Sequence, residues 1–119
     1  SSLTRQVRAG FLARNKLPER IKYYSLVAAA QLPHINPLLV PLHEALLVDG
    51  PNDGQVVARD AIIPGSYLLG FVNSDHWALA LPFNRSGSQQ AELLHPGNAF
   101  PREVLIDAIL EIVAGTIER

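Results

Sequence analysis

An aspartate and a histidine, the residue types of a proton relay, follow two apolar runs of this sequence. Asp53 lies in the turn-rich segment 49–54, after a run that ends near Ala28, and His76 comes just after a second run over residues 66–72. In open parallel sheets, functional groups gather on the loops that leave the carboxyl ends of the strands, so these side chains could meet at one rim. A carboxylate there accepts a hydrogen bond from one imidazole nitrogen, and the other nitrogen takes a proton from a nucleophile. The spacing therefore predicts an acid–base pair.

The elements that must position this pair alternate between helix and strand. Residues 4–15 carry an apolar residue every four positions, which predicts an amphipathic helix, and the branched and aromatic run 21–28 predicts a buried strand. A short helix is predicted over residues 38–47, and a second strand over residues 66–72. This order favours an α/β fold with a parallel sheet.

The end of the sequence predicts a loop and then a helix. Residues 84–98 are polar and rich in turn formers, and Pro101 suits the first turn of the helix that follows. The apolar side of this helix is predicted to consist of Leu105, Ile109, Ile112, Val113 and Ile117. Because two strands do not make a stable doubly wound sheet, we expect further strands to lie upstream.

Composition limits the class of protein. The 119 residues are 48% hydrophobic and 18% charged with a net charge of −1, which predicts one globular segment over residues 1–119 and no nucleic-acid partner. Cysteine is absent, so neither a disulfide framework nor a thiolate metal site is expected, and no cofactor is predicted. No apolar run is long enough to span a bilayer. The compartment stays open between cytoplasm and periplasm.

Three short segments carry a resemblance to a known family. They are Lys-Tyr-Tyr-Ser at 22–25, Asn-Asp-Gly-Gln-Val at 52–56 and Asn-Ser-Asp-His-Trp at 73–77. In this order and spacing they resemble the C-terminal half of bacterial triacylglycerol lipases and related α/β-hydrolase esterases. The resemblance implies that Asp53 is the acid and His76 the base of a catalytic triad that hydrolyses an ester with an apolar acyl or alkyl part.

The nucleophile of that family has no counterpart in the sequence. Such hydrolases hold a serine in a Gly-x-Ser-x-Gly turn, and this motif does not occur; residues 50–54 have the glycine spacing with Asn at the centre. The sequence also lacks methionine, so we expect a C-terminal piece of an α/β-hydrolase, incomplete and inactive by itself. Its partner would be the missing N-terminal half, or a second copy paired along an exposed sheet edge.

Other interpretations stay open. Asn-Asp-Gly is also a plain turn signal, and His76 would then be an ordinary residue at the end of a strand. The chain would in that case be a non-catalytic binding or oligomerisation module, or a different α/β enzyme whose histidine works without a serine. Asp75 is a poor alternative acid, because neighbours on extended chain point to opposite sides.

The spacing of the potential ligands in the sequence disfavours metal binding. Residues 49–60 are similar to a calcium loop, but Pro51 stands where an oxygen ligand is needed. His34, His43 and His95 share no metal-ligand spacing and are expected at the surface or in loops.

Overall fold

The computed structural model describes residues 4–80 and 100–117; the predicted loop over residues 84–98, with His95, lies outside them. The helices are α1 (Arg5–Arg14), α2 (Val40–Leu46), α3 (His76–Ala80) and α4 (Arg102–Ile117), and the strands are β1 (Tyr24–Ala28) and β2 (Tyr67–Val72). Short 3-10 helices lie at Leu32–His34, Pro37–Leu39 and Ala58–Ala61.

The two strands form a parallel pair, which confirms the predicted α/β arrangement. Tyr24 pairs with Tyr67 and Ala28 with Val72, with an irregularity in register after Ser25. A crossover over residues 29–66 joins the strands and contains α2 and the predicted acid loop. Since both strands run the same way, the segments that follow Ala28 and Val72 leave from the same end of the sheet.

The crossover is attached to the end of β1 by backbone hydrogen bonds. The amide of Ala29 donates to Val72 O at 3.0 Å, and the amide of Ala30 donates to Asn52 O at 3.1 Å. The second bond brings the Asn-Asp-Gly turn back to the point where β1 ends. The acid loop is therefore held beside the sheet although it lies more than twenty residues further along the chain.

Helix α1 is held on the crossover by charged side chains. Arg5 contacts both carboxylate oxygens of Asp60, with an Nε–Oδ1 distance of 2.9 Å, and also reaches Asp49 at 3.2 Å. Arg59 reaches the same Asp49 oxygen at 3.2 Å. The hydrogen bond from Arg5 lowers the pKa of the Asp60 carboxyl, and the bonds to Asp60 and then Asp49 raise the pKa of Arg5. Both ends of the calcium-like segment are thus engaged with arginines.

The core of the described residues is small. Its buried apolar members are Val27, Ala28, Ile35, Leu39, Val57, Ala58 and Ala78. Large apolar side chains of β2 remain outside it: Tyr67 is 53% exposed, Leu68 47% and Phe71 64%. Because strands of a parallel sheet are normally covered on both faces, β2 exposes surface that this arrangement usually buries.

Helix α4 follows its predicted pattern in part. Leu105, Ile109 and Val113 are half-buried, at the four-residue spacing of one helix side. Ile112 and Ile117, predicted on that side, are 46% and 66% exposed. Ile112 lies one position off this line, and in the last turn Thr116 is half-buried instead of Ile117. At its C-terminal end, Thr116 bonds to the side chains of Lys22 and Tyr24.

Candidate active site

The acid loop is built from two successive turns in which a side chain binds the backbone. Asn52 Oδ1 accepts from the amide of Gly54 at 2.9 Å. Asp53 Oδ1 accepts from the amides of Gln55 and Val56 at 2.9 and 2.7 Å. Asn and Asp favour such turns because their short side chains reach a backbone amide two residues on. One oxygen of the Asp53 carboxylate is therefore occupied by the loop itself, and the other points elsewhere.

Gly54 is required by the shape of this loop. Its φ angle is +94°, a conformation that side-chain-bearing residues rarely adopt, and a Cβ atom there would lie 3.0 Å from Leu39 Cβ. Leu39 is buried, so it has little room to move. The glycine lets the chain turn tightly against the 3-10 helix that leads into α2.

His76 is the first residue of α3, and the residue before it caps this helix. Asp75 is fully buried; its Oδ1 accepts from the amide of Ala78 at 2.7 Å, as an N-cap side chain does. Its Oδ2 accepts from the amide of Asn36 at 2.7 Å. These bonds direct the Asp75 carboxylate to backbone amides and leave His76 to another acid. This five-residue helix is not predicted from the sequence, although an aspartate just before it is an N-cap signal.

Asp53 and His76 lie in contact, as the sequence predicts. His76 Nδ1 lies 2.8 Å from Asp53 Oδ2, and the His76 amide donates to the backbone oxygen of Asp53 at 2.8 Å. An ionised carboxylate only accepts, so the proton of this bond belongs to Nδ1, and in a neutral imidazole the other ring nitrogen, Nε2, then keeps its lone pair. The Asp53 side chain is 6% exposed and the His76 side chain 38%. The arrangement is a buried acid behind an accessible imidazole.

A second histidine lies behind the acid loop. His43, on α2, is only 3% exposed, which makes its predicted place at the surface wrong. Its Nδ1 lies 2.7 Å from Oδ1 of Asn52, which is fully buried. The sequence gives little sign of this pair, because nine residues and a helix end separate its members.

The serines of the described residues bond to groups other than His76. Ser25 Oγ accepts from the amide of Ile63 at 3.0 Å and lies 2.6 Å from Ser66 Oγ. Ser74 Oγ donates to the backbone oxygen of Asp75 at 3.0 Å. Ser86 and Ser88 lie outside the described residues.

A cavity of about 980 Å³ opens where β1 and β2 end. Its described lining is mainly apolar and comes from the end of each strand and from the segment around α2: Ala29, Ala30, Leu32, Leu47, Pro51 and Phe71 are among its walls. Asp53 and His76 are not among the described residues that line it. Within residues 4–80 and 100–117, no cluster of three or more potential ligands could hold a metal ion. No helix in the same ranges has the length and apolar character to cross a bilayer.

Comparison with known proteins gives one informative similarity. The sequence matches no protein-family model and no curated protein. Its fold and sequence are similar to part of a carboxyl esterase, which confirms the resemblance predicted from the three short segments. That solved structure is the crystal structure of the metagenomic carboxyl esterase MGS0156, with a TM-score of 0.87 and 41% identity over 97% of this chain. The chain spans about a third of the esterase's length, 35%.

Proposed function

We propose that this chain supplies the acid and the base of a serine carboxylic-ester hydrolase, of the esterase or lipase type. The observation that carries the proposal is the 2.8 Å contact between His76 Nδ1 and a buried carboxylate, that of Asp53. The nucleophilic serine and the oxyanion donors would come from the part of such a fold that corresponds to the other two thirds of the esterase. Support for this comes from the absent Gly-x-Ser-x-Gly motif and from the partial coverage.

The chemistry follows from the orientation of the imidazole. With Nδ1 donating to Asp53, Nε2 takes the serine proton as the hydroxyl attacks the ester carbonyl, and it returns that proton to the departing alcohol. The Asp53 carboxylate stabilises the imidazolium formed between these steps. Its burial keeps it in one position, while the exposure of His76 leaves room for a serine and an ester. The substrate class is a carboxylic ester with an apolar acyl or alkyl part.

Residues 1–119 would then be a single C-terminal segment of an α/β-hydrolase domain, incomplete by itself. Two features favour this placement. β1 and β2 pair only with each other among the described residues, and the exposed apolar side chains of β2 and α4 offer surface for further elements. The remaining part of the hydrolase fold would be the partner that covers them.

A chimera tests the proposal directly. This chain would replace the matching third of the metagenomic esterase, and hydrolysis of p-nitrophenyl esters would be followed. The chimera is expected to be active, and Asp53→Asn or His76→Ala should lower kcat by about 10²–10⁴. Asp107→Asn, on α4, and His34→Ala, on an exposed 3-10 turn, are matched controls of the same residue types and should leave kcat unchanged.

Two results would contradict the proposal. One is a chimera that folds and hydrolyses esters equally well with and without Asp53 and His76. The other concerns the 119-residue chain alone, which a serine-reactive phosphonate should leave unlabelled. Stoichiometric labelling of any of its serines would mean that the chain carries its own nucleophile.

A non-catalytic oligomerisation module is the second candidate, and the exposed β2 side chains favour it. Tyr67 and Phe71 are each more than half exposed, and an open strand edge promotes pairing between copies. Sedimentation velocity separates the two candidates. Concentration-dependent oligomers that Phe71→Ser abolishes, together with an inactive chimera, would favour the module over the hydrolase.

A further inference from the structure

Asn52 uses its whole hydrogen-bonding capacity inside the protein. Its Oδ1 accepts from His43 Nδ1 and from the Gly54 amide, at 2.7 and 2.9 Å. Its Nδ2 donates to the backbone oxygens of His43 and Gly50, at 3.1 and 3.3 Å. An amide side chain offers two acceptor positions and two donor hydrogens, so every one is filled. With no exposed surface, Asn52 has no water to replace a lost partner.

These contacts fix the proton on His43. The two carbonyl oxygens accept only, so the atom facing them must be the amide nitrogen and the atom facing His43 must be the amide oxygen. His43 Nδ1 therefore carries a hydrogen. Both histidines of this region present Nδ1–H to an oxygen, His76 to the acid and His43 to the residue before the acid.

The bond from Asn52 to Gly54 encloses the backbone of Asp53. It closes a ring that runs from the Asn52 side chain through Asp53 to the Gly54 amide, and this ring restricts the backbone angles of the acid. Those angles determine where the Asp53 carboxylate points. They also place the Asp53 backbone oxygen that accepts from the His76 amide at 2.8 Å. A change at Asn52 is transmitted to both contacts between the acid and the histidine.

We propose that Asn52 and His43 are positioning residues for the acid–base pair: His43, held on α2, fixes Asn52, and Asn52 fixes the turn that aims Asp53 at His76 Nδ1. The contacts form one continuous series from α2 to α3. The inference rests on the proposed function for its effect on catalysis. Its effect on the proton of His76 is independent of any ester hydrolysis.

The ¹⁵N chemical shifts of the imidazole nitrogens test the proposal without an activity assay. In ¹⁵N-labelled 119-residue chain, the ring shifts of His43 and His76 distinguish a protonated Nδ1 from a protonated Nε2 in the neutral imidazole. Both are expected to be Nδ1–H. A His43 with its proton on Nε2 would overturn the proposal in the unmodified chain, because Asn52 Oδ1 would then receive no hydrogen bond from His43 and α2 would no longer hold Asn52.

Two substitutions, His43→Leu and Asn52→Ser, break the series while keeping Asp53 itself, and a third, His43→Asn, should restore it. His43→Leu removes the donor, and His43→Asn restores an N–H near the position of Nδ1. His76 should change from Nδ1–H to a mixture of tautomers in the leucine variant, and the asparagine variant should recover the original signal. Asn52→Ser tests the same link from its other end, since it keeps an acceptor beside Gly54 but is too short to reach His43.

Ser25→Ala is the matched control. Like Asn52→Ser, it removes hydrogen bonds of a buried side chain, in this case one that Ser25 accepts from a backbone amide. Unlike Asn52, Ser25 directs its side chain to Ile63 and Ser66 rather than to the acid loop or to His76. Its His76 signals should match the unmodified chain. The proposal fails if His43→Leu, or Asn52→Ser where the leucine variant does not fold, leaves His76 as pure Nδ1–H. It also fails if Ser25→Ala alters His76 equally, since general loosening would then explain the change.

The chimera with the esterase separates this inference from the proposed function. There His43→Leu should lower kcat by about 10- to 100-fold with little change in KM, because a misaimed acid affects the chemical step. If Asp53→Asn leaves the chimera fully active while His43→Leu still alters the His76 tautomer, the proposed function fails and the positioning role stands. If Asp53→Asn abolishes activity but His43→Leu changes neither readout, only the positioning role fails.

Discussion

Replacing Gly54 by alanine is the most direct probe of the acid loop, because the structure contains a matched glycine. Gly54 has a φ angle of +94° and its added Cβ would lie 3.0 Å from Leu39 Cβ and 3.3 Å from Leu39 Cδ1. Gly65 has a φ angle of +80° with nothing within 4 Å of an added Cβ. Both substitutions strain the backbone, but only Gly54→Ala also overpacks the core.

The expected losses in free energy of unfolding follow from these differences. A positive φ angle costs a residue with a side chain about 1–3 kcal/mol, and alanine returns about 0.4–1 kcal/mol by restricting the unfolded chain. Overpacking of a buried site adds about 1–3 kcal/mol, and Leu39 is only 4% exposed. Gly65→Ala should therefore cost about 0–2.5 kcal/mol and Gly54→Ala about 1–5.5 kcal/mol. The difference of about 1–3 kcal/mol isolates the contact with Leu39.

Urea unfolding monitored by Trp77, the single tryptophan, measures both variants. A double-mutant cycle supplies the second check: Leu39→Ala should reduce the penalty of Gly54→Ala, because it removes Leu39 Cδ1 and Cγ, which lie 3.3 and 3.6 Å from the added Cβ. If Gly54→Ala and Gly65→Ala lose equal stability and the cycle shows no coupling, the loop does not pack on Leu39 as described.

Three further variants test other parts of the fold by the same unfolding assay. Asp75→Ala should cost about 1.5–5 kcal/mol, because it removes a helix cap and leaves the buried amide of Asn36 without its acceptor; a loss below about 0.5 kcal/mol would contradict the capping role. Ser25→Ala should cost about 1–3 kcal/mol for the same kind of orphaned amide, and an unchanged denaturation midpoint would argue against that bond. The pKa of Asp60 is lowered by Arg5, so the unfolded chain takes up this proton first and stability should fall as the pH drops below about 4. Asp60→Asn should flatten this acid limb of the profile of unfolding free energy against pH. If the variant loses stability with falling pH as steeply as the unmodified chain, the ion pair between Arg5 and Asp60 is not the cause.

The sequence predicts the strands and the acid–base contact because the signals are local. An apolar run followed by turn formers marks each strand end, and parallel pairing then brings Asp53 and His76 to the same end of the sheet. Their catalytic roles stay predictions. The amphipathic pattern likewise places α1 and α4 within a residue or two of their bounds.

The contact between His43 and Asn52, next to Asp53, could not be predicted in the same way. His43 and Asn52 are brought together by the fold of the crossover, and no periodicity or motif marks two residues nine positions apart as partners. The burial of His43 depends on tertiary packing, because histidine has only an intermediate tendency to be buried and the apolar neighbours at 38–48 do not show which side of α2 faces the core. For α4, the spacing gave the line Leu105, Ile109 and Val113 correctly. It could not show that Ile112 stays exposed beside this line, or that Thr116 takes the half-buried place of Ile117 in the last turn.

Asp53 is held rigidly in a buried loop and His76 is accessible, so substitutions of the two residues should behave differently. A buried carboxylate is tolerated only when donors satisfy it, and three surround Asp53: two loop amides and His76 Nδ1. A base that exchanges protons with another group must stay accessible, and the side chain of His76 is 38% exposed. Changes on the acid side, such as Gly54→Ala, should therefore lower the stability of the chain and the kcat of the esterase chimera together, because the loop is part of the core. His76→Ala removes a side chain that is 38% exposed, but it also leaves the buried Oδ2 of Asp53 without its donor. It should therefore cost about 1–3 kcal/mol of stability in addition to lowering the kcat of the esterase chimera.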